Sequence, residues 1–419
     1  MGALLQSVLP QRVRYATRRG PITVKLARPS AVGGQHMSRW GVILGAGAWL
    51  AIALSGAALA ASVEDGLAAE QRGELTEALR ILTPLAEKGD VHAQYHVARF
   101  YNLGRGVPID YPLAARWYRK AADQGEIYAK GDLGVMYLEG HGVPKDVPHG
   151  IALLRVAAAR KIPTAQSNLC VVYAEGVGQP PDYPEAQTVC REAAVAGMAS
   201  AQLLLGEIYD RGLGGVTRDN REALIWFMAA ASQGDAAAEN LVGRYFELGR
   251  GGLPENFSQA LAWFRKAAEQ DDVYAEANLG EAYAKSMGVP RDMTQAVAWY
   301  RRAAAHDDLA AQKALAVAYE VGDGVPRDYG EAFIWWRKAA DHGDASAQLH
   351  VGGAYATGLG VARDDVEARM WFILADSQNN ANRANTWDPD APIRQGLAAR
   401  MTPDQVARAE ALARDWKRK

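Results

Sequence analysis

From residue 93 onward, small and hydrophobic residues follow a helical period, and one arrangement of them recurs along the chain. An alanine marks each copy, and successive marks lie 36 or 37 residues apart, at Ala93, Ala129, Ala165, Ala201, Ala238, Ala275, Ala311 and Ala347. A small residue stands five positions after each mark, and Tyr or Phe stands eight positions after it. These offsets keep the residues near one side of an α-helix, which we call helix A.

A second helix, helix B, is predicted after each helix A. Glycines close helix A, and an Asp or Asn then stands where its side chain can cap the next helix, at Asp110, Asp146, Asp182, Asp219, Asn256, Asp292, Asp328 and Asp364. Seven residues after the cap, six copies carry a Trp, and an Ala-Ala pair such as Ala121-Ala122 follows. Large and small residues at fixed offsets allow neighbouring helices to interlock.

The copies define the domain organisation. One helix pair cannot bury its apolar faces alone, whereas stacked pairs share a continuous core. The sequence therefore predicts an all-α solenoid with eight repeats over residues 93–382. A helix pair without the glycine-rich loop, residues 63–92, is expected to cap the N-terminal end. Capping helices are expected over residues 383–419, where Thr402-Pro403-Asp404-Gln405 is a capping-box start.

The first 60 residues have a different composition. Residues 1–39 carry seven basic residues and no acidic one, and an uncharged run from Gly41 to Ala61 follows, with an A-x-A site at 58–60. Residues 37–60 are therefore predicted to be a secretory signal peptide cut after Ala60, with translation starting at Met37 and residues 1–36 a basic leader that is not translated. The alternatives are an uncleaved membrane anchor and, for residues 1–36, an organelle-import leader.

Composition excludes several functions. With Lys+Arg 46 and Asp+Glu 48 the net charge is −2, which provides no field for nucleic acid. Catalytic and phosphate-binding motifs are missing from the sequence, and no cofactor or metal is expected. His92 and His96 have a spacing that can hold a metal, but no third ligand is near them in sequence, so a surface or groove role is favoured.

The repeated motif resembles a known family. Its first half reads Ala-Lys-Gly-Asp-Leu-Gly-Val-Met-Tyr-Leu-Glu-Gly-His-Gly-Val-Pro-Lys-Asp over residues 129–146, and its second half reads Trp-Tyr-Arg-Lys-Ala-Ala over residues 117–122. This pattern is similar to the Sel-like repeat (SLR), a branch of the tetratricopeptide-repeat superfamily. The resemblance implies a right-handed α-solenoid, and most members are adaptors in signalling, secretion, envelope regulation or host interaction. The copy at residues 165–200 departs from the pattern at Cys170, Gln179 and Val189.

The two cysteines of the chain fall in that atypical copy. Cys170 takes the small-residue position of helix A, and Cys190 lies on helix B of the same copy. An exported protein meets oxidising conditions, so one interpretation is a disulfide between them. The alternative is a pair of small buried thiols.

An arginine column runs along helix B, at Arg119, Arg155, Arg191, Arg265, Arg301 and Arg337. We interpret it as a solvated face that makes ion pairs, with a binding stripe for an anionic polymer as the alternative.

In solenoids of the resembled family, helix A lines the concave surface, so the positions of helix A that the core leaves free are candidates for binding. The predicted contacts with a partner protein or extended peptide are Tyr95, His96, Arg99, Asn102, Asp132, Asn168, Asn240, Arg244 and Asn278. Asn can hydrogen-bond a peptide backbone, and Arg can hold a carboxylate.

The sequence thus predicts a monomeric, non-catalytic interaction scaffold in the periplasm or outside the cell, or anchored to the membrane if residues 37–60 are not cleaved. An envelope hydrolase and a peptidoglycan or glycan binder are the alternatives. A hydrolase requires a convergent nucleophile–base pair, and a glycan binder requires exposed aromatic rings in the groove.

Overall fold

The structure, a computed structural model, describes residues 62–379 and 391–416. The predicted leader and signal peptide (1–36 and 37–60) lie outside these residues, as do 380–390 and 417–419. Over the described ranges the regular structure is helical and contains no strand, as predicted for the fold class. None of the helices in these ranges is long and apolar enough to cross a membrane. The chain divides between Ala230 and Ala231 into two compact units.

The first unit contains ten helices among the described residues. The bounds are α1 Val63–Gln71, α2 Leu75–Glu87, α3 Val91–Leu103, α4 Tyr111–Asp123, α5 Ile127–Glu139, α6 Val147–Ala159, α7 Pro163–Glu175, α8 Tyr183–Val195, α9 Ala199–Arg211 and α10 Asn220–Ala231. Helices α1 and α2 form a pair without the glycine-rich loop. From α3 onward, odd-numbered helices are the predicted helices A and even-numbered ones are helices B. Within this unit each helix packs against the next, as in a stacked array.

The second unit contains the other ten described helices. The bounds are α11 Ala236–Leu248, α12 Phe257–Ala268, α13 Val273–Lys285, α14 Met293–Ala305, α15 Leu309–Val321, α16 Tyr329–Asp341, α17 Ala345–Thr357, α18 Asp365–Asn379, α19 Ala391–Arg400 and α20 Pro403–Asp415. The predicted capping box is present at the start of α20, where the side chains of Thr402 and Gln405 each bond to the other's backbone N–H. Helix α20 packs on α18 and so covers the end of this unit.

Helix ends follow the predicted rules. Seven helices A end at a glycine in the left-handed conformation, and Ser286 adopts the same conformation with φ 60° in the remaining copy. The eight predicted Asp and Asn residues each accept a hydrogen bond from a backbone N–H in the first turn of helix B, for example Asp292 from Gln295. These side chains cap helix B, so their recurrence is explained by folding.

The core of each copy depends on close approach of helix A to helix B. The small residue five positions after the alanine mark packs against a large side chain that directly follows the tryptophan column. A Cβ added to Gly206 would lie 2.5 Å from Cε1 of Phe227, and one added to Gly280 would lie 2.5 Å from Cδ1 of Tyr300. The glycines are therefore required by packing, as the sequence predicted, although the ring that fills their place was not identified there.

Candidate functional site

The predicted binding residues are distributed over five helices A. Tyr95, His96, Arg99 and Asn102 lie on α3 and Asp132 on α5, in the first unit, together with Asn168 on α7. Asn240 and Arg244 lie on α11 and Asn278 on α13, in the second unit. All except Asn168 and Asn240 are half-buried, so part of each side chain is accessible.

Four of these residues surround one tyrosine, Tyr118 on α4, in an arrangement that we call the Tyr118 cluster: Tyr95, Arg99, Asn102, Asp132 and Tyr118 itself. The Tyr118 ring is fully buried, and the Tyr95 ring lies 6.0 Å from it, centroid to centroid. Burial raises the pKa of the Tyr118 hydroxyl, with Asp132 and Tyr95 adding to the rise and Arg99 and Asn102 opposing it. The structure thus gathers predicted residues of two helices A around a helix B side chain.

Asp132 supplies the carboxyl of the cluster, and its pKa is strongly shifted. Burial raises its pKa to about 7, and the Arg99 charge and the Tyr118 and Tyr95 hydroxyls oppose that rise. Within the described ranges, its Oδ2 atom is buried and accepts no hydrogen bond. A carboxyl poised between its neutral and charged forms at neutral pH can both donate and accept hydrogen bonds.

Two tyrosine rings extend the Tyr118 cluster toward solvent. Tyr128, at the start of α5, is 50% exposed, and its ring lies 6.0 Å from that of Tyr95. The Arg99 guanidinium carbon stands 5.8 Å from the Tyr95 ring centroid, which is within cation–π range. The accessible edge of the cluster therefore offers an aromatic surface beside charged groups.

His96 belongs to a neighbouring ionic group. Its Nδ1 lies 3.1 Å from Oε2 of Glu70 on α1, and Arg105 bonds to the other oxygen of the same carboxylate. Burial would raise the pKa of Glu70, but the hydrogen bond and charge of His96 and the charges of Arg105 and Arg99 outweigh burial and lower it. Glu70 was not found from the sequence because it lies in the capping pair, outside the repeats.

The prediction that all nine residues occupy free surface was wrong for two of them. Asn168 is 3% exposed and Asn240 is 2% exposed. Asn240 accepts a hydrogen bond of 2.8 Å from the amide of Asn278, across two helices A. Helices α7 and α9 likewise contact each other directly, with the Ser167 and Ser200 hydroxyls 2.8 Å apart. Direct packing between successive helices A buries positions that the two-helix pattern leaves free.

The arginine column of helix B makes a contact that the sequence analysis did not predict. Each of the six arginines donates to the hydroxyl of the tyrosine eighteen residues later, on the following helix A, as Arg119 does to Tyr137 at 2.8 Å. Only Arg337 also makes an ion pair, with Asp341 at 3.3 Å, among the described contacts of the column. The column therefore braces adjacent repeats, and an open stripe for an anionic polymer is not supported.

His92 and His96 contact different carboxylates. His92 Nδ1 lies 3.6 Å from Glu126, whereas His96 contacts Glu70. Among the described residues, no group of three or more His, Cys, Asp or Glu side chains is arranged to hold a metal ion.

The structure joins Cys170 of α7 to Cys190 of α8 in a disulfide, and both residues are fully buried. Of the two interpretations left open by the sequence, the structure has the bridged form.

A buried polar column was missed by the sequence analysis. The residue directly after the alanine mark is Gln or Glu in seven copies, and all seven are buried: Gln94, Gln166, Gln202, Glu239, Glu276, Gln312 and Gln348. Gln94, Gln202 and Gln348 each donate to the carbonyl eight residues earlier, near the end of the preceding helix. The recurrence of Gln directly after the alanine mark was the sequence signal for this column. The burial of these side chains, however, depends on the neighbouring helix that stacks on them.

The fold and these contacts define the class of the protein as an α-solenoid of stacked two-helix repeats with small-residue helix interfaces. A family model for the Sel1 repeat matches residues 91–126, 127–161, 163–187, 199–235, 236–272, 273–308, 309–344 and 345–380. The chain therefore belongs to the Sel1 repeat family.

Two solved structures show the relationship in detail. A crystal structure of c5321, described as a protective antigen of uropathogenic Escherichia coli strains displaying an SLR fold, is 32% identical, with a TM-score of 0.72 over 86% of this chain and 77% of that one. A Sel1 repeat protein from Oxalobacter formigenes is 29% identical, with a TM-score of 0.57 over 80% of this chain and 92% of that one. Comparison with curated proteins gives no significant match. Sel1 repeat proteins usually act as protein-interaction scaffolds and are typically non-catalytic.

Proposed function

We propose that the chain is a non-catalytic adaptor of the cell envelope that binds a partner protein or an extended peptide through its helix A side. The Tyr118 cluster is the observation that carries this proposal. It combines an amide, a guanidinium, a carboxyl and accessible tyrosine edges on two successive helices A. Such groups hydrogen-bond a peptide backbone and pack on its side chains, and Tyr and Arg are enriched among the residues that dominate protein interfaces.

Export of the repeats is part of the proposal. It rests on the predicted signal peptide at residues 37–60 and is supported by the Cys170–Cys190 disulfide, because disulfides persist in oxidising compartments. Cell fractionation followed by N-terminal sequencing tests it. We expect the protein in the periplasmic or secreted fraction with a mature N-terminus at about Ala61. An intact leader on a membrane-bound protein would favour the anchored alternative, and a cytoplasmic protein would contradict export.

Site-specific photo-crosslinking in cells tests the binding role. A photoreactive phenylalanine at Tyr128, which is 50% exposed beside the cluster, is expected to capture one defined envelope protein. The matched control places the same group at Val195 on helix B, which is 74% exposed. We expect little or no capture of that protein from this position.

The identified partner is then measured with purified variants. Arg99→Ala is expected to weaken binding about tenfold, roughly 1.4 kcal/mol, with circular dichroism confirming an unchanged fold. Equal capture at Tyr128 and Val195, or wild-type affinity of the Arg99 variant, would count against the helix A site. Turnover of a hydrolase substrate that a single substitution abolishes would favour the enzyme alternative.

A further inference from the structure

One packing contact recurs in the copies of the array. It joins the small residue of helix A to a large side chain of helix B, 20 or 21 residues later. A Cβ added to Gly243 would lie 2.7 Å from Cδ1 of Phe264, and one added to Gly352 would lie 2.9 Å from Cδ1 of Phe372. A ring lying on a glycine holds the two helices together by filling the space between them.

The third copy has cysteines at both of these positions. In the other seven copies the helix B position holds a ring or a leucine: Tyr118, Leu154, Phe227, Phe264, Tyr300, Trp336 and Phe372. In the third copy it is Cys190, bonded to Cys170 at the glycine position. The covalent bond therefore stands in the place of the recurrent packing contact.

Other stabilising features are also missing from the third copy. Helix α7 begins after Ile162, which makes no side-chain cap, whereas Asp90 and Asp272 cap the equivalent helices α3 and α13. Val189 replaces the tryptophan of helix B. The second copy also lacks the ring and the tryptophan, and the fourth lacks a helix A cap, but the third copy lacks all three of these features.

We propose that the third repeat depends on its disulfide for cohesion, so that the oxidation state of Cys170 and Cys190 controls the order of α7 and α8. A dithiol reductant breaks the S–S bond by two-electron thiol–disulfide exchange, and it becomes a disulfide itself while both cysteines become thiols. Two small thiols then fill a space that a ring or a leucine fills in the other copies. The contact therefore loses both the covalent bond and the packing. Because each repeat contacts only its neighbours, the loosening is concentrated at α7, α8 and the helices that pack on them.

Hydrogen–deuterium exchange of the full chain, with and without dithiothreitol, tests the proposal. The chain has two cysteines, so any response to the reductant arises from this pair. We expect backbone amides of α7 and α8 to exchange roughly 100-fold faster after reduction. Helices α13 and α14, which keep the Gly280–Tyr300 contact, serve as the internal control and are expected to stay unchanged. Equal protection of α7 and α8 in both states would overturn the proposal.

Two double variants separate packing from covalent bonding. Cys170→Gly with Cys190→Phe installs the pair found at Gly206 and Phe227, and we expect protection near that of the oxidised wild type with no response to dithiothreitol. Cys170→Ala with Cys190→Ala is expected to resemble the reduced wild type. If the amides of α7 and α8 were as protected in the alanine variant as in the oxidised wild type, the disulfide would contribute nothing to cohesion and the proposal would fail. This test holds whether or not the glycine–phenylalanine variant folds.

Discussion

At the scale of single residues, Asp132 shows how tertiary packing changes the chemistry of an ordinary helix residue. The sequence placed it at a groove position, and the structure surrounds it with Tyr95, Tyr118 and Arg99. Its pKa rises to about 7 because burial penalises the charged carboxylate more than Arg99 stabilises it. Such a rise follows from three helices packing together, so the sequence could not show it.

Asp132 should make the stability of the protein depend on pH. A folded-state pKa above the unfolded value means that the folded protein binds the proton more tightly, so this contribution is fully present below about pH 4 and is lost as pH rises toward about 7. The loss is expected to be on the order of 2 kcal/mol in the free energy of unfolding, since the residue is only partly shielded. Denaturation at pH 5 and pH 8 measures most of this loss.

Asp132→Asn is the control for this prediction. Asparagine does not titrate, so the difference in unfolding free energy between pH 5 and pH 8 should shrink by the amount assigned to Asp132. An unchanged difference in the variant would show that other groups cause the pH dependence.

A second residue-scale prediction concerns the buried polar column. Where five copies have Gln, the sixth copy has Glu276, which is 1% exposed and has a pKa raised by burial. Arg302 contacts this carboxylate at 2.7 Å and also donates to the Ala268 carbonyl at 3.0 Å. That carbonyl lies eight residues before Glu276, as the carbonyl bonded by Gln202 lies eight residues before Gln202. Arg302 therefore donates the hydrogen bond to this carbonyl that the Gln amide donates in other copies and that a carboxylate cannot donate.

Arg302→Ala should destabilise the protein by about 2–3 kcal/mol, because it leaves a buried carboxylate and a carbonyl without their partner. Adding Glu276→Gln to that variant should recover most of the loss, since the amide can donate to Ala268. Urea denaturation of the two single variants and the double variant measures the coupling. A double variant no more stable than Arg302→Ala would refute this assignment.

At the scale of helices, close packing explains why glycine recurs in the middle of helix A. Adjacent glycines on α17 provide a matched test. A Cβ at Gly352 would meet the Phe372 ring at 2.9 Å, whereas a Cβ at Gly353 would meet nothing within 4 Å.

Gly352→Ala is expected to destabilise the protein by about 1–2 kcal/mol, because the Phe372 ring must move. Gly353→Ala is expected to stabilise it by about 0.5–1 kcal/mol, because alanine has the higher helix propensity and here meets no neighbour. Thermal denaturation of both variants compares them directly. Effects of the same sign would contradict the packing argument.

At the scale of the whole molecule, the arginine–tyrosine contacts repeat from copy to copy. Arg119 bonds Tyr137 in the first unit, and Arg301 bonds Tyr319 at 2.6 Å in the second. One copy has neither partner of this contact. Phe246 has no hydroxyl to accept a hydrogen bond, and the residue eighteen positions before it is Met228 rather than arginine. The sequence contains this pairing of arginine with tyrosine, but the structure was needed to show that residues eighteen positions apart are in contact.

Tyr137→Phe and Tyr319→Phe should each cost about 0.5–1 kcal/mol, and the double variant should cost their sum, because the two hydrogen bonds have no residue in common. Tyr101→Phe is the control. Tyr101 occupies the same position in the first copy but has Thr83 eighteen residues before it, so its replacement should change stability little. Urea denaturation measures all four variants, and a double variant far from the sum would show long-range coupling.

The sequence by itself determined the repeat period, the helix pairs, the helix ends and the small-residue interfaces. These features depend on neighbours within one copy, and the order of residues carries that information directly. The capping role of Asp292 and the close approach at Gly280 are examples.

Only the tertiary structure decided which polar residues remain accessible and which meet each other. It buried Asn168 and Asn240, gathered Tyr95, Arg99, Asn102 and Asp132 around Tyr118, and paired each column arginine with a tyrosine of the next repeat. These outcomes depend on how tightly one repeat stacks on another. The distance between stacked repeats is set by side chains of several copies at once, so it cannot be predicted from a single copy of the motif.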